Sequence, residues 1–233
     1  MNAPLLRRCQ CWFGGGTAIV LDIGEYRLSK DIDFLCADVD GYREVRSAVA
    51  AQGVSALFGP EVRREREVRT DQYGIRTIVS VAGVPLRFEI IREARIALAG
   101  GTHPVAPVPC LGPLERIAEK LLANADRGLD PAAGCRDALD LGMLIRRGGP
   151  LPADAVAMAE RAYGDDIGRR AAQVAAALGL AHQRQHAAAT LGMAAGTVDA
   201  AARAFRRECR RLWPGADIGP STQRSLNRRQ GDD

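Results

Sequence analysis

Several residue types and patterns are scarce in this 233-residue chain, and each scarcity excludes a class of protein. Aromatic residues make up only 5% of the chain, so the core has to be built mainly from Ala, Leu, Val and Ile. No apolar run reaches the roughly 18 residues that a membrane-spanning helix requires. Arg7 and Arg8 are not followed by the apolar stretch of a signal peptide. We therefore expect a cytoplasmic globular protein that makes no contact with a membrane.

Cysteine and histidine are too few and too scattered to indicate a metal site. Cys9 and Cys11 are close, but no second pair follows at the spacing of zinc ligands. Reduced thiols are the default for such a chain. His182 and His186 lie four residues apart on a predicted helix, with no acidic residue between them and no third ligand after them. We predict that these two histidines are a surface pair.

The chain does contain an unusual segment, which runs from Phe13 to Leu35. Glycines 14–16 precede Thr17 and an apolar stretch that predicts a helix from near Ala18 to a stop at Gly24. Because glycine has no Cβ, its backbone can approach a ligand closely and adopt positive φ. The backbone N–H groups, the Thr17 hydroxyl and the helix N-terminus together could hold a triphosphate. The run matches neither the P-loop pattern nor G-x-G-x-x-G, and such a run alone is more often only a turn.

Two aspartates one residue apart end the same segment. Side chains alternate along a strand, so Asp31 and Asp33 point to one face and Ile32 to the other, into a core. Two adjacent carboxylates repel each other unless a cation lies between them. Mg²⁺ held by a few carboxylates and by substrate phosphates fits this pattern best. A solvated strand end is the alternative.

The glycine turn and the aspartate pair together resemble a known signature. Gly15-Gly16-Thr17, followed by Arg27-x-Ser29-x-Asp31-Ile32-Asp33-Phe34, is similar to the motifs of polymerase-β-like nucleotidyltransferases, and most similar to the AbiEii/AbiGii group of abortive-infection toxins. The resemblance implies an α+β fold, in which a nucleotidyltransferase core with a mixed sheet flanked by helices precedes a C-terminal helical bundle. It also implies that Asp31 and Asp33 hold one or two Mg²⁺ ions. The nucleotide-binding residues would be Gly15, Gly16, Thr17, Arg27, Ser29 and, from a later helix, Lys120.

A third acidic residue lies in a predicted hairpin. Ile75–Val81 and Val84–Ile91 are β-rich runs joined by a two-residue turn, and Glu89 interrupts the second one. The resemblance implies that Glu89 is a third metal-binding carboxylate and a catalytic residue, at a position where the family more commonly has Asp. An ion pair of Glu89 with Arg87 or Arg76 is the alternative.

Lysine is rare, because only two of the 32 basic residues are lysines, and one of them lies near a further acidic pair. Lys120 falls on one predicted helix, and Asp137 and Asp140 share a face of the next. An interhelical salt bridge would explain this arrangement. The resemblance implies instead that Lys120 contacts the nucleotide phosphates and that Asp137 is catalytic or orients catalytic groups. Asp140 would support helix packing.

We predict three regions: a catalytic core over residues 1–103, a helical domain over 104–213, and a polar, flexible tail over 214–233. The boundary is placed in the connector from Gly100 to Gly112, which contains three prolines. A short strand is predicted over residues 55–58. Helices are predicted over residues 40–52, 113–125, 132–147, 152–163, 166–180, 184–191 and 197–212.

These features predict Mg²⁺-dependent transfer of a nucleoside monophosphate from an NTP to an acceptor hydroxyl. By the resemblance, the acceptor is RNA or tRNA and the protein is a toxin with a cognate antitoxin. Eight arginines between Arg203 and Arg229 fit RNA phosphates, but they equally fit a solvated helix followed by a disordered end. Two other readings stay open: an enzyme that modifies small, aminoglycoside-like molecules, and an inactive NTP-binding regulatory module.

Overall fold

The computed structural model describes residues 1–102 and 107–219. The chain forms two compact units, the first made of Met1–Gly24 with Ser29–Ile117 and the second of Glu25–Leu28 with the chain from Ala118 onward. This division lies inside a helix, whereas we placed the boundary near residue 103. Residues 103–106 of the predicted connector and 220–233 of the predicted tail lie outside the described residues.

The first unit is built on a mixed sheet, as predicted. In the described chain this sheet has eight strands: β1 Cys11–Phe13, β2 Asp31–Cys36, β3 Val62–Arg64, β4 Arg69–Thr70, β5 Gly74–Val81, β6 Val84–Arg92, β7 Gly100–Thr102 and β8 Pro109–Leu111. Their order is β3-β5-β6-β2-β1-β8-β7, with β4 beside β5. The pairs β2/β6 and β1/β8 are parallel, and the other pairs are antiparallel. The strand that carries both aspartates is therefore central.

Helices flank this sheet and cover its core. They are α1 Ala3–Arg8, α2 Gly15–Ile23, α3 Val39–Gln52 and the first turns of α4 Pro113–Arg127. Phe34 on β2 is fully buried and lies against two other rings, with centroid distances of 5.5 Å to Phe13 and 5.8 Å to Phe88. Phe58 meets Phe88 edge to face at 4.9 Å. Although aromatic residues are few, four of the five phenylalanines pack together in the core of this unit, on and beside the aspartate strand.

The second unit is helical. After α4 it contains α5 Arg136–Gly148, α6 Ala153–Tyr163, α7 Asp166–Ala177, α8 Ala181–Leu191 and α9 Ala195–Leu212. Helix α9 packs against α5, α7 and α8. The α5/α9 crossing is close, because a Cβ at Gly142 would lie 2.7 Å from the carbonyl carbon of Ala201.

The structure corrects two of the predicted elements. Residues 55–58 are not a strand: Gly53–Ala56 is a 3₁₀ helix, and the amides of Leu57 and Phe58 both bond the carbonyl of Val54. The connector from Gly100 to Gly112 contains two short strands, β7 and β8. Strand β8 pairs with β1, which is remote in sequence, and with β7, from which prolines separate it. The predicted helices and the hairpin are confirmed to within a few residues, apart from a 3₁₀ turn, Pro131–Ala133, before α5.

The structure also describes the cysteines, the histidines, and the length and polarity of the helices. All six cysteines are free and buried, as expected for reduced thiols. His182 and His186 are exposed, and the described residues contain no cluster of three or more potential metal ligands. No described helix combines the length and apolar character needed to cross a membrane.

Candidate active site

The glycine turn is joined to the aspartate strand by backbone and hydroxyl contacts. Gly14 precedes α2, and its N–H donates to the carbonyl of Asp33 at 2.9 Å. The Thr17 hydroxyl donates to the carbonyl of Asp31 and lies 2.7 Å from the Ser29 hydroxyl. No side chain caps the N-terminus of α2. These contacts hold the N-terminus of α2 against β2, and the first amides of a helix suit the binding of an anion.

Gly15 and Asp33 are in direct apposition. Gly15 has φ +65°, in the region that favours glycine. A Cβ at this position would lie 2.9 Å from the Asp33 Cβ and 3.0 Å from its Cγ, and nearer still to Oδ2. The backbone of the turn therefore approaches the Asp33 carboxylate more closely than any side chain would permit. Gly16, the other predicted glycine, lies in the first turn of α2 and is half-buried.

The remaining acidic residues lie on the same face of β2 and β6. The parallel register places Asp31 beside Arg87 and Asp33 beside Glu89, while Phe88 between them is fully buried on the other face. This alternation agrees with the pattern predicted from the sequence. We considered Arg87 or Arg76 as an ion-pair partner for Glu89. The Arg87 Nε lies 3.8 Å from Asp31 Oδ1, and the Arg76 Nη1 lies 3.4 Å from Asp71 Oδ2.

The donor set fits a hard divalent cation only in part. Asp31, Asp33 and Glu89 supply carboxylate oxygens, which Mg²⁺ prefers, and the glycine turn beside them leaves room for phosphate oxygens. In the described residues, however, these three carboxylates do not form a closed three-ligand cluster. Asp31 and Asp33 would hold the ion together with substrate oxygens. The assignment of Glu89 as a ligand stays a prediction.

Lys120 and Asp137 are brought together inside the second unit. The Lys120 Nζ lies 2.7 Å from Asp137 Oδ1 and 2.7 Å from Asp140 Oδ2, and all three residues are buried. Arg127, near the end of α4, donates from Nε to Asp137 Oδ2 at 2.8 Å and from Nη2 to Oδ1 at 3.2 Å. Asp137 is thus held by two cations, one buried and one partly exposed.

Arg27 belongs to the same buried network. Its Nε and Nη2 donate to the two carboxylate oxygens of Asp140 at 2.8 and 2.9 Å, and Nη1 donates to the Leu28 carbonyl. The Tyr26 hydroxyl donates to Asp140 Oδ1. Asp140 therefore supports packing, as the resemblance implied. Arg27, which we predicted near the nucleotide phosphates, has its guanidinium buried against Asp140.

Electrostatics in this network favour the charged forms. Burial works against ionisation of Asp137, but the Lys120 charge and the Arg127 hydrogen bonds outweigh it and lower the Asp137 pKa. Burial also opposes the charge on Lys120, yet Asp137 and Asp140 raise its pKa. Lys120 is consequently a permanent cation with two of its three N–H donors already engaged.

The structure places the predicted site residues in two groups. Arg27, Lys120 and Asp137 lie in the second unit. The first unit holds Gly15, Gly16, Thr17, Ser29, Asp31, Asp33 and Glu89. Sequence reasoning missed Tyr26 and Arg127. Their partners, Asp140 and Asp137, lie on helix α5, and no local sequence pattern reveals such a contact. The available signal was the position of Arg127, which lies seven residues, about two turns, after Lys120 and so on the same face of α4.

Comparisons with known proteins bear on the fold and on the family. Two solved structures resemble the chain at a TM-score of 0.50 and 15% sequence identity, and both come from Helicobacter pylori. One, described as a candidate nucleotidyltransferase, is matched over 90% of this chain and 92% of its own. The other, JHP933, is matched over 98% of this chain and 93% of its own. At this identity the two structures show a shared fold.

No curated protein matches the sequence significantly. A family model does match, over residues 5–214, and its description is the nucleotidyl transferase AbiEii toxin of type IV toxin–antitoxin systems. The match covers the glycine turn, the aspartate strand and the buried lysine network, and so it includes every residue that the first resemblance was based on. The chain belongs to the AbiEii nucleotidyl transferase toxin family.

Proposed function

We propose that this nucleotidyltransferase moves a nucleoside monophosphate from an NTP to a hydroxyl group of RNA, with Mg²⁺ as its cofactor, and so acts as the toxin beside a cognate antitoxin. The observation that carries the proposal is the apposition of Gly15 and Asp33. A carboxylate of the proposed metal pair directly beside the amides of a glycine turn suits the triphosphate of a metal-bound nucleotide.

The glycine turn has a binding role in this proposal. The amides at the start of α2 and the positive end of its dipole attract the phosphates. The bonds from Gly14 and Thr17 to β2 keep the turn fixed relative to the carboxylates. Because the positions are set before the nucleotide arrives, little ordering is required when it binds.

Asp31 and Asp33 would hold the metal, which when bound neutralises charge on the phosphates and on the attacking and leaving oxygens. One carboxylate of this pair accepts the proton of the acceptor hydroxyl. The hydroxyl oxygen forms a bond to the α-phosphorus, the bond from that phosphorus to the bridging oxygen breaks, and pyrophosphate leaves. Arg87, beside Asp31, limits the negative charge on this face before the metal is bound.

For Lys120 and Asp137, the roles implied by the family stay predictions. Lys120 has one N–H donor that is not directed at Asp137 or Asp140, and a phosphate oxygen could accept from it. Asp137 is kept ionised by Lys120 and Arg127. Catalytic measurements on variants of these residues have to be accompanied by stability measurements, because both residues are buried.

The experiment that tests the proposal transfers label from each α-³²P-NTP, with Mg²⁺, onto total cellular RNA. We expect a labelled RNA band with the wild type and none with Asp33→Ala. Arg169→Gln, which removes an exposed charge on α7, is the control and keeps the label. A missing label with every NTP would refute the RNA acceptor. Pyrophosphate release with small aminoglycoside-like acceptors would then identify the small-molecule enzyme, and NTP binding without release the inactive module.

A further inference from the structure

The arginines near the C-terminus do not form one surface. Arg206 is buried, and its Nη1 donates to a backbone carbonyl of α7. Arg210 Nη2 donates to the carbonyl of Gly219 at 2.9 Å. Arg211 Nη2 lies 2.6 Å from Glu208 Oε1. These three guanidinium groups are engaged in holding the second unit together.

Two other arginines of α9 join one from α5 around a cavity. Arg203 and Arg207 of α9 and Arg146 of α5 line a space of about 410 Å³, which we call the arginine cleft. All three side chains are exposed. In the described ranges, none of them has a carboxylate within ion-pair distance. The other lining residues are Ile145, Ala200 and Ala204.

The backbone fixes the spacing of these charges. Arg203 and Arg207 are one turn apart on the same face of α9, about 6 Å along its axis. Arg146 lies in the last turn of α5, which crosses α9 closely at Gly142. Like charges at such positions repel one another. An anion with several negative groups would remove this repulsion.

We propose that the arginine cleft binds the phosphodiester backbone of the RNA acceptor, an inference that rests on the proposed function for the identity of the polymer. Guanidinium groups bind phosphate oxygens in pairs through their planar fork. Contacts of this kind position a nucleic acid without reading its sequence.

An acidic protein fits the cleft less well. The central part of a protein interface is rich in aromatic side chains and poor in charge. Among the described residues that line the cleft, three are cations and none is aromatic. Nucleic-acid interfaces are polar and strongly positive, as this cleft is.

The test measures binding of a labelled single-stranded RNA of mixed sequence to the full-length protein at several salt concentrations. The variant Arg146→Gln/Arg203→Gln/Arg207→Gln removes the three charges of the cleft. A matched control, Arg161→Gln/Arg169→Gln/Arg170→Gln, removes three charges from α6 and α7. Circular dichroism establishes that both variants fold, and Arg203→Lys/Arg207→Lys keeps the charge but loses the fork.

We expect the cleft variant to bind at least tenfold more weakly than the wild type, and the slope of log K against log salt to fall by about 2, at roughly 0.7 per phosphate contact. The control should keep both values, and the lysine variant should keep the slope. Equal losses in the cleft and control variants would overturn the proposal. So would displacement of the RNA by poly-glutamate at matched charge, because the cleft would then suit an acidic protein.

The two proposals fail in different ways. If RNA binding depends on the cleft but no NTP gives label transfer, the proposed reaction is overturned, whereas the RNA-binding role of the cleft stands. Label transfer that requires Asp33, together with unchanged binding by the cleft variant, would overturn the cleft alone.

Discussion

Replacement of Gly15 by alanine tests the apposition on which the proposed activity depends. The new Cβ would lie 2.9 Å from the Asp33 Cβ, where ordinary contact begins at 3.4 Å, and nearer still to Oδ2. Relief of the Cβ contact requires a shift of about 0.5 Å (3.4 minus 2.9), and relief of the nearer Oδ2 contact requires roughly 1 Å. A displacement of about 1 Å in a reacting site can reduce a rate by about 10²-fold. The positive φ of Gly15 adds about 1–2 kcal/mol of backbone strain.

Gly24→Ala provides the matched control, because Gly24 ends the same helix at φ +93° and has open space where the Cβ would be. In urea titrations we expect Gly24→Ala to lose about 1–2 kcal/mol of unfolding free energy through its positive φ, and Gly15→Ala to lose about 1–3 kcal/mol more through overpacking against Asp33. Only Gly15→Ala should lose about 100-fold in the rate of label transfer from α-³²P-NTP. Wild-type transfer by Gly15→Ala, or an equal loss in Gly24→Ala, would refute the reasoning.

Four further outcomes follow from the structure. Lys120→Met should lower the unfolding free energy by about 1–3 kcal/mol, because Asp137 and Asp140 lose a shared donor although Arg127 and Arg27 still hold them; an unchanged free energy in a urea titration would contradict this. Since the pKa of Asp137 is lowered from its ordinary 3.8, its contribution is present above about pH 4 and is lost as the pH falls further, so unfolding free energies should drop more steeply below pH 4 in the wild type than in Asp137→Asn. Gly142→Ala should destabilise by about 1–3 kcal/mol by overpacking the α5/α9 crossing, whereas Gly148→Ala, with open space, should not, and thermal melts would show the difference. Chelation with EDTA should abolish label transfer and added Mg²⁺ should restore it, while equal transfer in EDTA would exclude the metal-dependent reaction.

The sequence predicts those parts of the fold that local patterns determine. Period-two alternation places Asp31 and Asp33 on one face, and the Ala82-Gly83 turn predicts the β5/β6 hairpin, where both residues have positive φ. The strands β7 and β8 have three residues each, too few for any periodicity, and β8 gains its place by pairing with β1 through Phe13 and Cys110. Such remote pairing leaves no local signal.

The candidate site divides in the same way. The glycine turn and the aspartates are a local motif, so the sequence reveals both. Arg27 appears in that motif too, but its partner is Asp140, which lies more than a hundred residues later. Likewise, the number of arginines near the C-terminus does not show that Arg206 is buried, or that Arg146 of α5 lines the arginine cleft with Arg203 and Arg207. The direction of each side chain depends on how α9 packs against its neighbours.

The placement of Glu25–Leu28 affects how such a chain can evolve. These four residues belong to the second unit, although the chain on both sides of them belongs to the first. A recombination event with a single crossover near Ile117 would replace residues 118 onward by those of a relative and keep the original Arg27. The Arg27 guanidinium would then have no carboxylate partner unless the relative also carries one at position 140. Exchange of this unit between relatives therefore requires two coordinated changes, and the two segments should be inherited together.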